Sequence, residues 1–146
     1  MNRRKFITAT CIGCTGGGLI AWLMEGCSTT KVATATIEGS DMIVPLGDFI
    51  TNKSGQTSYK QYLVVQHEML KYPICVFRFD ENNYDALLMR CTHQGTELQV
   101  FGDQLQCPAH GSEFNNRGEV KHGPAAAALR KFPVTITNNQ LKISLI

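Results

Sequence analysis

The sequence predicts a mostly β domain, an antiparallel sandwich or barrel, on three observations. Apolar and polar residues alternate with period two from Asp41 onward. The alternating runs are rich in β-branched and aromatic side chains, which suit a pleated, half-buried surface. Turn residues interrupt them at roughly ten-residue intervals, the spacing of an all-β domain rather than of strands alternating with helices.

The elements follow in order. Residues 41–46 form a first strand, and residues 58–66 (SYKQYLVVQ) and 72–80 (YPICVFRFD) form the next two. Glu81-Asn82-Asn83 is a turn that pairs the latter run with residues 84–90 as a hairpin. Gly102-Asp103 separates residues 98–101 from 104–107, a second hairpin. Asn115-Asn116-Arg117-Gly118 separates Glu113-Phe114 from Glu119-Val120, a third, and Asn138-Asn139 joins residues 131–137 to 140–146, a fourth. Residues 51–57 read as a polar loop, and residues 125–129 are the sole helix-friendly run.

Composition bounds the function. At 146 residues, with 43% hydrophobic and 18% charged, the chain is one domain with a packed core, too short for a large multidomain enzyme. Basic residues number 14 and acidic ones 12; Arg3, Arg4, Lys5 and Glu25 lie in the first 30 positions, leaving 11 of each sign beyond them. A neutral body without a basic stripe excludes nucleic acid as a partner.

Residues 1–30 read as an address. Arg3-Arg4-Lys5-Phe6-Ile7 resembles the twin-arginine signal that exports proteins already folded around a cofactor. An uncharged stretch of 19 residues follows, from Phe6 to Met24. Met24-Glu25-Gly26-Cys27 resembles the cleavage box of bacterial lipoproteins, in which Cys27 becomes the lipid-bearing residue and Ser28-Thr29-Thr30 a tether. Glu25 departs from that box, so a retained membrane anchor stands beside it, since 19 residues just reach spanning length. Release as a free soluble product is the third option. The expected location is the periplasmic side, tethered to the membrane. Cys11 and Cys14 form a C-x-x-C inside the apolar segment, where they serve as small apolar residues.

Two boxes carry the chemistry: Cys91-Thr92-His93-Gln94-Gly95 and Cys107-Pro108-Ala109-His110-Gly111-Ser112. Each follows a strand end, and the hairpin between them brings them face to face. Two thiolates and two imidazoles converging at loop tips make a four-ligand metal site, with Cys91, His93, Cys107 and His110 as ligands. A single tetrahedral zinc is one occupant. A two-iron cluster is the other, since each loop offers one sulfur and one nitrogen ligand.

These boxes resemble the Rieske iron–sulfur family, whose motifs are C-x-H-x-G and C-x-x-H-G-S. The resemblance covers residues 86–134 in detail and is compatible with residues 36–146, with a small cluster-binding subdomain at about residues 90–125. It implies one 2Fe-2S cluster, with Cys91 and Cys107 on a buried ferric iron and His93 and His110 on the outer iron that changes oxidation state. Gly95 and Gly111 match positions where backbone passes close to the cluster, and Gly123-Pro124-Ala125 matches a proline-containing loop that covers it. Ser112 is the expected hydrogen-bond donor to a bridging sulfide. The departures set the tuning. Thr96 and Ala109 stand where high-potential members carry two cysteines joined as a brace. Phe114 replaces a tyrosine that adds a second hydrogen bond. One donor kept and one lost implies a potential midway in the range of about −150 to +300 mV.

The resemblance implies a one-electron carrier outside the cytoplasmic membrane. An imidazole edge of His93 or His110 faces a cytochrome, a copper protein or an oxidoreductase, and reduction makes the ligand rings more basic. The protein then has no substrate chemistry of its own. The Rieske subunit of a quinol-oxidising cytochrome bc-type complex, or of a molybdenum oxidase such as arsenite oxidase, is the alternative, and a structural Cys2His2 zinc protein a minor one. Ring-hydroxylating dioxygenases carry these boxes too, but need a further mononuclear iron domain, and only 36 residues follow His110. Cys75 reads as a core residue, His67 as a turn residue, and His122 as a position near the cluster rim.

Overall fold

The computed structural model describes residues 32–53 and 55–146, so the expected export signal, the Cys11–Cys14 pair and the expected lipidation position Cys27 lie outside the described residues. The described chain forms strands β1 (Val32–Thr34), β2 (Thr36–Glu38), β3 (Asp41–Pro45), β4 (Ile50–Lys53), β5 (Gln56–Tyr59), β6 (Tyr62–Gln66), β7 (Ile74–Arg78) and β8 (Tyr84–Leu88). Then come β9 (Gln99–Phe101), β10 (Gln104–Gln106), β11 (Glu113–Asn115), β12 (Val120–His122), β13 (Lys131–Phe132), β14 (Val134–Thr137) and β15 (Gln140–Ser144). Among the described residues, no helix is long and apolar enough to cross a membrane.

Three sheets and a hairpin result. The central sheet runs β1-β6-β7-β8-β13, one flanking sheet runs β14-β15-β3-β2, the other β12-β11-β10-β9, and β4 pairs with β5 alone. Pairing is antiparallel except where β1 lies parallel to β6, with Val32 opposite Val64.

The central strands are apolar on both faces, as strands covered on both sides must be. Leu63 and Val65, Ile74 and Val76, and Ala86 point into one core with Met42, Val44, Phe49, Leu141 and Ile143. Their neighbours Val64, Cys75, Phe77 and Leu87 point into a second core with Leu98, Leu105, Phe114, Cys91 and Cys107. Fully burying one such leucine or isoleucine contributes about 1.5–3 kcal/mol. The second core thus attaches the β9–β12 sheet, and the two boxed loops with it, to the rest of the molecule. Asp85, 3% exposed, reinforces that joint. Its Oδ2 lies 3.0 Å from Arg117 Nη1 in the β11–β12 turn, and its Oδ1 lies 2.6 Å from Lys131 Nζ.

Four expectations need correction. Residues 51–57 are not a loop but most of the β4–β5 hairpin, in which Ile50 faces Tyr59. All of β5 is exposed, so backbone pairing proceeds there without the alternation that a buried face imposes. The 58–66 run breaks at Lys60-Gln61, where the Lys60 N–H turns to the Phe49 carbonyl at 2.8 Å. The 131–137 run divides at Pro133, which lacks an N–H, so β13 closes the central sheet and β14 joins another. Residues 125–129 form no helix, because tertiary partners take the Ala125 N–H, which donates to Ser112 Oγ at 3.0 Å, and the Leu129 N–H, which donates to the Gly118 carbonyl at 2.8 Å.

Candidate metal centre

The two boxes fold into the same backbone frame. In the first, the Cys91 N–H donates to the Thr96 carbonyl at 2.8 Å and the Gly95 N–H donates back to the Cys91 carbonyl at 2.8 Å. In the second, the Cys107 N–H donates to the Ser112 carbonyl at 2.8 Å and the Gly111 N–H to the Cys107 carbonyl at 3.0 Å. Each frame closes only if the fourth residue after the cysteine turns left-handed, and Gly95 and Gly111 both adopt φ of 75°. The glycine offset is therefore shared although the histidine offset is two in one loop and three in the other.

This frame sorts the candidate ligands by element. Cys91 and Cys107 are 1% and 3% exposed, inside the second core. His93 and His110 are exposed, and their rings meet edge to face with centroids 5.1 Å apart. Burial pushes the Cys107 thiol up, but hydrogen bonds from the Ala109 and His110 N–H groups and from the Cys91 and Thr96 side chains outweigh it, so the thiol lies below its ordinary value. Sulfur thus faces sulfur on the inside and imidazole faces imidazole outside. Among the described residues, no three or more His, Cys, Asp or Glu side chains converge on one point. Two cysteines paired inside and two histidines paired outside are the arrangement that a two-metal group with two protein donors on each metal would use.

A third segment ties the loops together. The Gly123–Pro124 peptide is cis, and beyond it Ala125 reaches Ser112 while the Ala127 carbonyl accepts from Thr92 Oγ1 at 2.7 Å. Ser112 is fully buried; its oxygen accepts from Ala125, which leaves the hydroxyl hydrogen to donate. Phe114 is fully buried in the second core and has no donor to offer. The cysteines of the described residues are all free, and with Thr96 and Ala109 in the brace positions no disulfide joins the two loops. Pro124 itself is exposed.

The other residues weighed from sequence are placed as follows. Cys75 is fully buried, and burial alone pushes its thiol far up. His67 caps a turn, its Nδ1 accepting from the Met69 N–H at 3.2 Å. His122 is exposed on β12 opposite Glu113. Sequence reasoning passed over Thr92, although a threonine between two ligands was a visible signal, and over Asp85, whose run of apolar neighbours was the only hint.

Comparison with known proteins agrees with this geometry. Residues 51–133 match the Rieske [2Fe-2S] domain. The chain is 26% identical over 161 aligned positions to the cytochrome b6-f complex iron-sulfur subunit of Trichodesmium erythraeum, covering 97% of this chain and 83% of that protein. It is 34% identical over 64 residues to the oxygenase component of chloroacetanilide N-alkylformylase from Rhizorhabdus wittichii, but spans only 18% of that relative's length. The crystal structure of the cyanobacterial plasma membrane Rieske protein from Synechocystis PCC 6803 superposes with a TM-score of 0.50 at 25% identity, covering 57% of this chain and 86% of that one. A match to more than half of the chain, carried on two like-framed Cys/His loops, means that the chain belongs to the Rieske [2Fe-2S] domain family, whose members transfer electrons through a single 2Fe-2S cluster.

Proposed function

We propose that the protein is a one-electron carrier acting on the outer side of the cytoplasmic membrane. In this reading Cys91 and Cys107 hold the inner iron, and His93 and His110 hold the outer one. The observation that carries it is the pairing of ligands by element, sulfurs in the core and imidazole edges in solvent.

The cluster supplies a couple that gains or loses one electron without bond rearrangement. The chain's own residues do the rest. Cys91 and Cys107 keep the inner donors dry and fixed, and the frames around Gly95 and Gly111 set the loop geometry. Ser112 directs its hydroxyl hydrogen toward negative charge gained on reduction, which raises the potential. His93 and His110 present the exposed contact edge to a partner. Gly123-Pro124-Ala125 covers the site, held by Ser112. The paired arginines at 3 and 4 and the box ending at Cys27 support export and a membrane tether. The redox partner in this reading is a cytochrome, a copper protein or an oxidoreductase.

A second reading, the Rieske subunit of a quinol-oxidising complex, is favoured by the likeness to the cytochrome b6-f iron-sulfur subunit over nearly the whole chain.

An EPR-monitored redox titration of the iron-loaded full chain at several pH values tests the assignment. The expected result is a low-average-g signal whose potential depends on pH. A high potential moves weight to quinol oxidation, and a value near or below zero to a soluble partner. A colourless, EPR-silent protein holding one zinc would overturn both.

A further inference from the structure

We propose that Lys71, Tyr72 and Arg90 form a cationic docking edge beside the first ligand loop, and that this edge receives the carboxylate-rich face of an electron-transfer protein. The proposal rests on the electron-carrier reading and specifies the partner's chemistry.

Three observations combine. First, two cations share one aromatic ring: Lys71 Nζ lies 5.4 Å and Arg90 Cζ 6.0 Å from the centroid of Tyr72. Both charged side chains are exposed and Tyr72 is half-buried, so one ring holds two exposed cations against it. Second, neither cation is held in a salt bridge. Among the described residues, the ion pairs are those of Arg117 and Lys131, which share Asp85. Glu97 stands opposite Arg90 across an isolated backbone bridge, and Glu68 lies in the preceding turn, yet neither carboxylate pairs with Lys71 or Arg90. Cations not engaged in salt bridges of their own remain available to the carboxylates of a partner. Third, the edge touches the redox site. A side chain on Gly95 would begin 3.3 Å from Arg90 Nε and 3.8 Å from the Tyr72 hydroxyl. Gly95 belongs to the same loop as His93, so a partner seated on the guanidinium meets the first boxed loop. The body as a whole is neutral, so attraction at this point is local and orients the partner.

The test uses the reduced, cluster-loaded full chain in stopped-flow oxidation by two proteins: plastocyanin, with an acidic face, and cytochrome c, basic around its haem edge. The rate with plastocyanin should fall as ionic strength rises. At low salt it should drop about tenfold in the Lys71→Gln/Arg90→Gln double variant, with the salt dependence largely gone. Lys142→Gln, on β15 in the far sheet, should behave as wild type. A plastocyanin rate that ignores salt, a double variant that keeps the wild-type rate, or a rate with cytochrome c that falls with salt and with both substitutions would overturn the docking edge while leaving the carrier intact. Loss of the cluster signal from wild-type protein would instead overturn the carrier reading, and the edge with it.

Discussion

Thr92 Oγ1 donates to the carbonyl oxygen of Ala127 at 2.7 Å, joining the first ligand loop to a segment 35 residues further along the chain. Together with the bond from the Ala125 N–H to Ser112 Oγ, it makes both ligand loops grip one shared strap. No disulfide among the described residues connects the loops, so these two hydrogen bonds are the polar ties between loops and strap.

Thr92→Val should therefore loosen cluster retention without unfolding the body. Loss of one neutral hydrogen bond of about 1 kcal/mol predicts roughly fivefold faster bleaching of visible absorption on warming. Thr92→Ser should restore the wild-type rate, and far-ultraviolet circular dichroism should match in all three proteins. An unchanged bleaching rate in the valine variant would remove the strap from the account.

Ser112→Ala should lower the reduction potential. A hydrogen bond to a charged acceptor contributes about 1.5–3 kcal/mol, which corresponds to roughly 65–130 mV for one electron. The substitution also leaves the Ala125 N–H without its acceptor, so the strap and the potential should change together. Protein-film voltammetry reads the shift directly, and a shift upward would contradict the proposed donor.

The cluster-free protein should show two contrasting thiols. Cys107 is held below the ordinary thiol range, so its thiolate forms at lower pH than that of an unperturbed cysteine. Burial raises Cys75, which should stay protonated well above that range. The sign for stability follows. A lowered folded-state value contributes stability above the unfolded-state thiol value, and that contribution is lost as pH falls through the folded one. Thiolate absorbance near 240 nm, followed against pH in wild type and Cys107→Ser, should show the early ionisation only in the former.

Gly118→Ala should destabilise the domain by about 1–3 kcal/mol. Its φ is 84°, and an added Cβ would sit 3.0 Å from Leu87 Cδ2 and 3.4 Å from Leu129 Cβ. Chemical denaturation of the cluster-free chain measures the loss. Gly102→Ala, at φ of 63° with open space around it, should cost less.

Much of this was readable from the chain, for reasons specific to particular residues. Hairpins closed by Gly102-Asp103 and Asn138-Asn139 announce themselves because a turn needs residues that tolerate left-handed backbone, and Gly102, Asn138 and Asn139 all adopt it. The four candidate ligands stood out because Cys and His side chains recur beside a glycine with the same four-residue offset. The β4–β5 hairpin was invisible because neither of its faces is sorted by burial. Residues 125–129 misled because alanine favours a helix, while Ser112 and Gly118 had prior use for its amides. Contacts such as Thr92 to Ala127 depend on where distant loops land, and no local pattern records that.

Asp85 has a consequence for how the chain finds its fold. Because β6, β7 and β8 are apolar on both faces, a one-residue slip of β8 would exchange the two cores and still bury oily side chains on each side. Hydrophobic burial alone thus discriminates poorly between the correct alignment and its mirror. Asp85 breaks the tie. Only one alignment turns its carboxylate toward Arg117 and Lys131; the slipped strand would strand a bare negative charge in the opposite core, an error of several kcal/mol. The buried carboxylate and its two cations thus fix the strand alignment on which the boxed loops rest.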